Sequence, residues 1–211
     1  MQIILTDTGK RFNREWIFRH LGYLFTSNRR YAITGPNGSG KSTLLQVIAG
    51  SLSFNEGSIT FANEKEVPGN EKKIRPEEYY QSISIATPYL ELIDEMTAIE
   101  FLEFHTQFKN LLPNLVLRDI PSIAGLENEL HKQIRYYSSG MKQRLKLVQA
   151  FFSDTALLLL DEPTTNLDAE GVLLYHQLIK NYTKDRIVII GSNDEQEYSF
   201  CEEVININAY K

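Results

Sequence analysis

The chain has 211 residues and a formal net charge of −5; that length suits one domain, or a domain with a subdomain, around a substantial core. Hydrophobic content of 42% and charged content of 23% are those of a soluble globular protein, and the acidic balance argues against a general nucleic-acid binder, which carries a basic surface. One cysteine, Cys201, excludes an intrachain disulfide framework, fits a reducing compartment and is expected to be a small apolar core residue.

In chain order, Gln2 to Leu5 and Trp16 to Phe25 read as β segments, with polar turns at Asp7–Lys10 and Ser27–Arg30. Tyr31 to Thr34 is a short β-prone run, and Thr43 to Ala49 reads as a buried helix stopped by Gly50. Ser58 to Phe61 is another strand, and the charged stretch from Asn63 to Glu78, with Pro and Gly, reads as a solvent-exposed loop. Ser82 to Ala86 alternates like a strand. From Thr97 to about Leu112 the pattern is helical, with Phe101, Phe104 and Phe108 on one face expected to pack into the core. Leu115–Val116 and Leu126–Gln133 are short helical pieces, and Ser139 to Phe152 is a clear helix. Leu157 to Leu160 is a strand, Ala169 to Tyr182 a helix and Arg186 to Ile190 a strand. Strands and helices alternate at both ends around a largely helical block, which implies an α/β core with a parallel sheet and a helical insertion. No segment approaches the ~18 consecutive apolar residues of a membrane span. The start of the chain lacks the charged and long apolar regions of a secretion signal.

The stretch Gly35-Pro36-Asn37-Gly38-Ser39-Gly40-Lys41-Ser42-Thr43 fits a phosphate-binding loop at every required position. Its glycines let successive backbone N–H groups turn inward around an anion. Lys41 is expected to reach the β- and γ-phosphates, the Ser42 hydroxyl to ligate Mg²⁺, and the helix beginning near Lys41 to add the positive end of its dipole. The strand before the loop and the helix after it are the context the motif needs. The chain therefore reads as a binder of a nucleoside triphosphate.

A second motif, Leu157 to Pro163, is an apolar strand ending in two carboxylates. Asp161, at the C-terminal end of a parallel strand, sits where open α/β sheets bind ligands and is expected to hold Mg²⁺ opposite Ser42. Glu162 is expected to orient or deprotonate a water for in-line attack on the γ-phosphate.

With both motifs in place the chain resembles the nucleotide-binding subunit of an ABC (ATP-binding cassette) ATPase over essentially its full length. Tyr137-Ser138-Ser139-Gly140-Met141-Lys142-Gln143-Arg144-Leu145 resembles the family's signature sequence, with Ser139 in place of the usual first glycine and Met141 in place of the usual glutamine. Asn166-Leu167-Asp168 resembles the D-loop, and Phe12, with Trp16 second, is the candidate for the aromatic that stacks on adenine. The resemblance implies a P-loop core with a mainly parallel sheet, an N-terminal antiparallel β subdomain and a helical insertion. The whole chain, 1–211, is then a single domain, with 1–86 and 154–211 forming the core and 87–153 the helical subdomain.

The resemblance further implies ATP and Mg²⁺ as cofactors and a homo- or heterodimer packed head to tail. Ser138, Ser139, Gly140 and Asp168 would then contact ATP held by the other subunit. It implies a separate transmembrane permease subunit, no nucleic acid, and a cytoplasmic location on the inner face of the cell membrane. The segment Tyr89 to Met96 lies where the family forms its groove for the membrane subunit, and the compact length resembles stand-alone subunits of the haem-exporter type. A non-transport ATP switch on a soluble partner, or a slow regulatory subunit, is the alternative reading.

Two positions depart from the family pattern. Asn193 occupies the slot of a histidine that contacts the γ-phosphate, and an amide donates a hydrogen bond but carries no charge and shuttles no proton. Thr87 lies nearest the slot of a glutamine at the junction with the helical insertion, where its hydroxyl would reach Mg²⁺ or its water at shorter range. His20, His105, His131 and His176 lack metal-ligand spacing and read as surface or packing residues. Lys142, Arg144 and Lys146 read as a solvated helix face, with Arg135 or Lys132 as candidates for the partner's phosphates.

Overall fold

The computed structural model describes residues 1–62 and 79–211, so the loop expected over Asn63–Glu78 lies outside the described residues. The strands are β1 (Gln2–Phe12), β2 (Glu15–Thr26), β3 (Arg29–Thr34), β4 (Glu56–Ala62), β5 (Ile83–Ala86), β6 (Leu157–Asp161), β7 (Ile187–Gly191) and β8 (Glu203–Asn206). The helices are α1 (Lys41–Ile48), α2 (Tyr79–Ser82), α3 (Ala98–Thr106), α4 (Ile120–Ile123), α5 (Ser139–Phe152), α6 (Ala169–Tyr182) and α7 (Glu195–Tyr198).

Two sheets result. An antiparallel sheet has the order β2-β1-β4, and a parallel one the order β5-β6-β7-β3-β8. The expected class, an α/β P-loop core with a parallel sheet, an N-terminal antiparallel layer and inserted helices, is the observed one. The central parallel strands β6 and β7 are short, almost unbroken apolar runs because both of their faces are covered. Side-chain alternation divides them: Leu157, Leu159, Ile187 and Ile189 pack with α1 and the antiparallel sheet. Leu158, Leu160, Val188 and Ile190 pack with α5, α6 and the helices between β5 and β6.

Three sequence expectations are corrected. The polar stretch Asp7–Lys10 does not turn; β1 runs through it to Phe12, with shifts of register beside Asp7, whose φ is 49°. Its polarity is internal: Thr8 Oγ1 donates to the Ser58 carbonyl at 3.0 Å and Lys10 Nζ to the Ser53 carbonyl at 2.7 Å, both side chains being buried. The aromatic face also fails, since α3 ends at Thr106 and only Phe101 is buried. Phe104 and Phe108 form an edge-to-face pair that stays 43% and 58% exposed. Beyond α3 the chain turns back, and the Leu112 N–H bonds to the Phe152 carbonyl at 2.8 Å. Leu115–Val116 is irregular, and the short turns of this region fall at Leu117–Asp119, α4, Glu127–Glu129 and Ile134–Tyr136 instead.

Candidate functional site

The phosphate loop leaves β3 at Thr34 and enters α1 at Lys41. Gly35, Gly38 and Gly40 have φ of 145°, 76° and 109°, a region where side chains are strained. At Gly40 a Cβ would stand 2.3 Å from Ile17 Cγ2, so the hairpin of the antiparallel sheet presses on the loop and only glycine fits. Lys41 is buried, and its Nζ donates to the Gly35 carbonyl at 2.9 Å and the Pro36 carbonyl at 3.4 Å. The ammonium thus holds its own loop closed while facing the anion site. Ser39 Oγ is buried there without a hydrogen-bond partner.

β6 delivers Asp161 beside this loop. Its Oδ1 is buried without a partner, and its carboxyl is pushed up to about 6, chiefly by burial, with Glu162 and Glu197 adding to the rise while the Ser42 hydroxyl and Lys41 oppose it. An orphaned carboxylate oxygen and a hydroxyl side by side beneath an anion-binding loop are a hard oxygen donor set that fits Mg²⁺. Glu162 follows with φ 42°, its N–H donating to the Gly191 carbonyl at 2.9 Å. A single cavity of about 260 Å³ is lined by Asn37, Gly38, Gly40, Lys41, Ser42 and Thr43 on the loop side and by Glu162, Tyr89 and Ile17 around it.

The other sequence candidates divide. Asn193 is not in that lining, but its Nδ2 donates to Asn37 Oδ1 at 2.8 Å, bringing it onto the loop. Thr87 is also outside the lining: its hydroxyl accepts the Tyr89 N–H at 3.0 Å, and the side chain that reaches the cavity is Tyr89, 77% exposed. Phe12 stands at the hairpin end with the Lys10 ammonium 4.9 Å from its ring centre and does not line the cavity. Trp16 has two guanidinium groups over its ring, Arg11 at 5.4 Å and Arg19 at 4.5 Å, the latter also paired with Glu56.

The signature residues form a second cavity of about 400 Å³, where Ser138, Ser139, Gly140 and Met141 meet Arg144, Asn166 and Asp168. Ser138 caps α5, its Oγ accepting the Met141 N–H at 3.2 Å. Asp168 caps α6 by accepting the Gly171 N–H at 2.8 Å, and this bond, with Arg144 at 2.6 Å, holds its carboxyl below the usual range. The solvated-face reading of α5 is overturned. Arg144 is drawn onto Asp168, Lys142 pairs with Asp94 at 2.8 Å, and Lys146 is buried with Nζ on the Thr87 and Pro88 carbonyls at 3.3 and 2.7 Å. Their long stems bring each charge to a fixed partner. Lys132 pairs with Glu129 at 3.1 Å.

Further links escape sequence reading altogether. Buried Gln143 donates to the Pro163 carbonyl at 2.8 Å, tying α5 to the end of β6, and buried Glu197 accepts from the Thr164 N–H at 2.7 Å. Such pairs lie far apart in the chain and leave no periodic signal. Leu90, Leu92, Ile93 and Glu95 line a groove of about 650 Å³ with Lys142 and Lys146, within the Tyr89–Met96 segment singled out from the sequence. Two of the histidines pair with side chains: His20 meets Asp7 at 2.6 Å, and burial pushes His105, on Ser153 Oγ, down to about 4. No cluster of three or more His, Cys, Asp or Glu side chains that could hold a metal ion occurs among the described residues. Burial pushes the Cys201 thiol up to about 12, consistent with an inert packing residue.

A phosphate loop on a parallel sheet, a Mg²⁺-competent acid beside it and a helix-start cavity across the inserted helices define a P-loop nucleotide-binding protein of the ATP-binding cassette kind. The chain belongs to the ABC transporter family, whose sequence profile matches residues 18–165. It is 30% identical over 208 residues to the uncharacterised ABC transporter ATP-binding protein YybJ of Bacillus subtilis, covering 98% of this chain and 92% of that protein. It is 27% identical over 197 residues to the cytochrome c biogenesis ATP-binding export protein CcmA of Agrobacterium fabrum, covering 92% and 89%. Among solved structures, the fold matches a putative ABC transporter ATP-binding protein from Pyrococcus furiosus with a TM-score of 0.80 at 18% identity, over all of both chains. It also matches a dimeric, post-hydrolysis ATP-binding cassette bound to ADP and Pi, with a TM-score of 0.80 at 21% identity, covering 97% and 94%. No described helix is long and apolar enough to cross a membrane.

Proposed function

We propose that this chain is the ATP-hydrolysing subunit of a transporter whose membrane-spanning part is a separate permease chain, and that it works as a head-to-tail dimer on the cytoplasmic face of the membrane. The observation that carries this reading is the orphaned Asp161 Oδ1 beside Ser42 in the same site as Lys41 and Glu162. Ser42 and Asp161 would hold Mg²⁺, which would supply positive charge to offset that of the phosphates. Lys41 gives up its loop carbonyls for the β- and γ-phosphates. Glu162 orients the attacking water and takes its proton. Ser138, Ser139, Gly140 and Asp168 meet the γ-phosphate carried by the opposite subunit, and Phe12 stacks on the adenine. The groove along Leu90 to Glu95 receives the permease.

Asn193 makes turnover slow but nonzero. It supplies a hydrogen bond and no charge, so the rate should lack the inflection near pH ~6.5 that a histidine gives. At saturating Mg·ATP, where Asp161 is held ionised, Asn193→His should raise turnover and introduce that inflection; a wild-type profile already bending there under the same conditions would overturn the assignment. The same residue favours a second reading, a regulatory subunit that binds ATP beside a more active partner. Turnover of the purified protein against Glu162→Ala separates the two: equal rates would remove Glu162 from catalysis. Tagged Glu162→Gln held with Mg·ATP in the native cell tests the partner. Stoichiometric recovery of a multi-spanning membrane protein supports transport, and a soluble assembly without one refutes it.

A further inference from the structure

The turn that carries Asn193 is pinned on every side. The Gly191 carbonyl accepts the Glu162 N–H at 2.9 Å, the Ser192 N–H donates to the Ile33 carbonyl at 3.1 Å, and Ser192 Oγ accepts the Asp194 N–H at 2.9 Å. Ser192 is buried, so the turn is anchored to β3 and to the chain just beyond Asp161. From this anchored position Asn193 Nδ2 reaches Asn37 Oδ1 at 2.8 Å. Asn37 lines the phosphate cavity, and Asn193 does not.

We propose that Asn37 is a phosphate-reading donor of this site and that Asn193 is a positioning residue acting through it. The proposal rests on the nucleotide-binding reading above and goes beyond it by assigning which amide meets the phosphates. An amide side chain has one acceptor oxygen and one NH2 donor group. Phosphate oxygens only accept, so the orientation of Asn37 decides whether it attracts or repels them. Its Oδ1 is engaged by Asn193, which leaves Nδ2 as the free end and opposes the flip that would turn the oxygen toward phosphate. The pair is a latch between the β7 turn and the phosphate loop, and it carries no proton that titrates near neutrality.

The chemistry orders the variants. Asn193→Ala frees Asn37 to rotate. Asn193→Asp cannot donate; it accepts from Asn37 Nδ2 and swings Asn37 Oδ1 toward the phosphates, so it should be worse than alanine. In a double-mutant cycle, Asn37→Ala and Asn193→Ala should interact, because the second change removes nothing once the first is made.

The test is the Kd of the full chain for a fluorescent ATP analogue with Mg²⁺, competed by ATP, in wild type, Asn37→Ala, Asn193→Ala, the double variant, Asn193→Asp and Lys41→Ala. Each alanine variant should bind about three- to tenfold more weakly, the scale of one net hydrogen bond made in competition with water. The double variant should bind no more weakly than Asn37→Ala, and Asn193→Asp should be the weakest of the Asn193 variants. If Asn193→Ala leaves Kd unchanged and slows only single-turnover hydrolysis, or if the two alanine effects multiply, Asn193 touches the nucleotide itself and the proposal is overturned. Lys41→Ala separates this failure from a deeper one. If it abolishes binding while Asn193→Ala does not change it, only the latch is wrong; if it changes nothing, the nucleotide site itself is misassigned.

Discussion

Asp161 is held in two incompatible demands. The proposed mechanism asks for a carboxylate to meet Mg²⁺, yet the sheet end buries that carboxylate and pushes its pKa up to about 6. A folded-state pKa above the ordinary ~3.9 means the folded chain favours the proton. In the protein without metal or nucleotide, the stability this group contributes is full below pH ~4 and is lost as pH rises through about 6. Asp161→Asn should therefore raise the thermal stability of the unliganded protein at pH ~7–8, by on the order of 1–3 kcal/mol, and change little at pH ~4. It should also remove Mg²⁺-dependent hydrolysis. Thermal unfolding across that pH range checks the first outcome; an equal gain at every pH would mean that packing, not ionisation, is responsible. Binding of Mg·ATP to wild type near pH ~6 should release a fraction of a proton, measurable as a dependence of calorimetric heat on the buffer's ionisation enthalpy.

At the scale of elements, the end of the sheet opposite the phosphate loop is organised by Arg186. It is buried, and its Nη1 donates to the Phe151 carbonyl at 2.8 Å and the Tyr182 carbonyl at 3.4 Å, at the last turns of α5 and α6. Its Nη2 meets Ser84 Oγ at 2.8 Å and Thr155 Oγ1 at 2.6 Å, beside β5 and β6. Burial lowers its pKa to about 10, which leaves it charged at pH 7, and a cation is favoured at helix C-termini. Arg186→Met should cost about 3 kcal/mol in urea unfolding, since it orphans several buried oxygens. Nucleotide affinity should be unchanged, because β7 separates this residue from Gly191; a parallel loss of both would show that the two sheet ends are coupled. The sequence makes β6, α5 and α6 legible because each has an unbroken period of its own kind. It hides β8, a four-residue edge strand with Val204 exposed, and the Arg186 contacts, which no spacing encodes. The same rule governs the site. Gly35 to Thr43, Asp161 and Glu162 are local motifs and readable, whereas Tyr89 and the Asn37–Asn193 bond exist only once distant loops converge. Thr87 was the natural candidate at its junction, and the turn that spends its hydroxyl on the Tyr89 N–H is what carries Tyr89 to the cavity instead.

For the whole molecule, the phosphate cavity and the signature cavity share no lining residue. One is lined by the loop, Lys41 and Glu162, and the other by the start of α5. On the proposed head-to-tail reading a nucleotide lies between the two cavities of opposite chains, and two-fold pairing completes two sites at once. Gly140 gives the means to test this without disturbing the nucleotide half. A Cβ there would stand 2.9 Å from the Asn166 carbonyl oxygen, a backbone atom that cannot rotate away. Gly140→Ala must therefore displace the start of α5 from the D-loop, while the phosphate loop lies in the other cavity and is untouched. In a Glu162→Gln background, Mg·ATP should drive the chain into a dimer by analytical ultracentrifugation. Adding Gly140→Ala should suppress that dimer by about tenfold or more in association, the effect of roughly 1.4 kcal/mol per interface, with ATP affinity of the monomer within about twofold of the parent. A double variant that dimerises as readily as Glu162→Gln alone would show that the signature cavity does not meet the partner's nucleotide. Loss of monomer binding together with the dimer would place Gly140 in the fold of the nucleotide half instead.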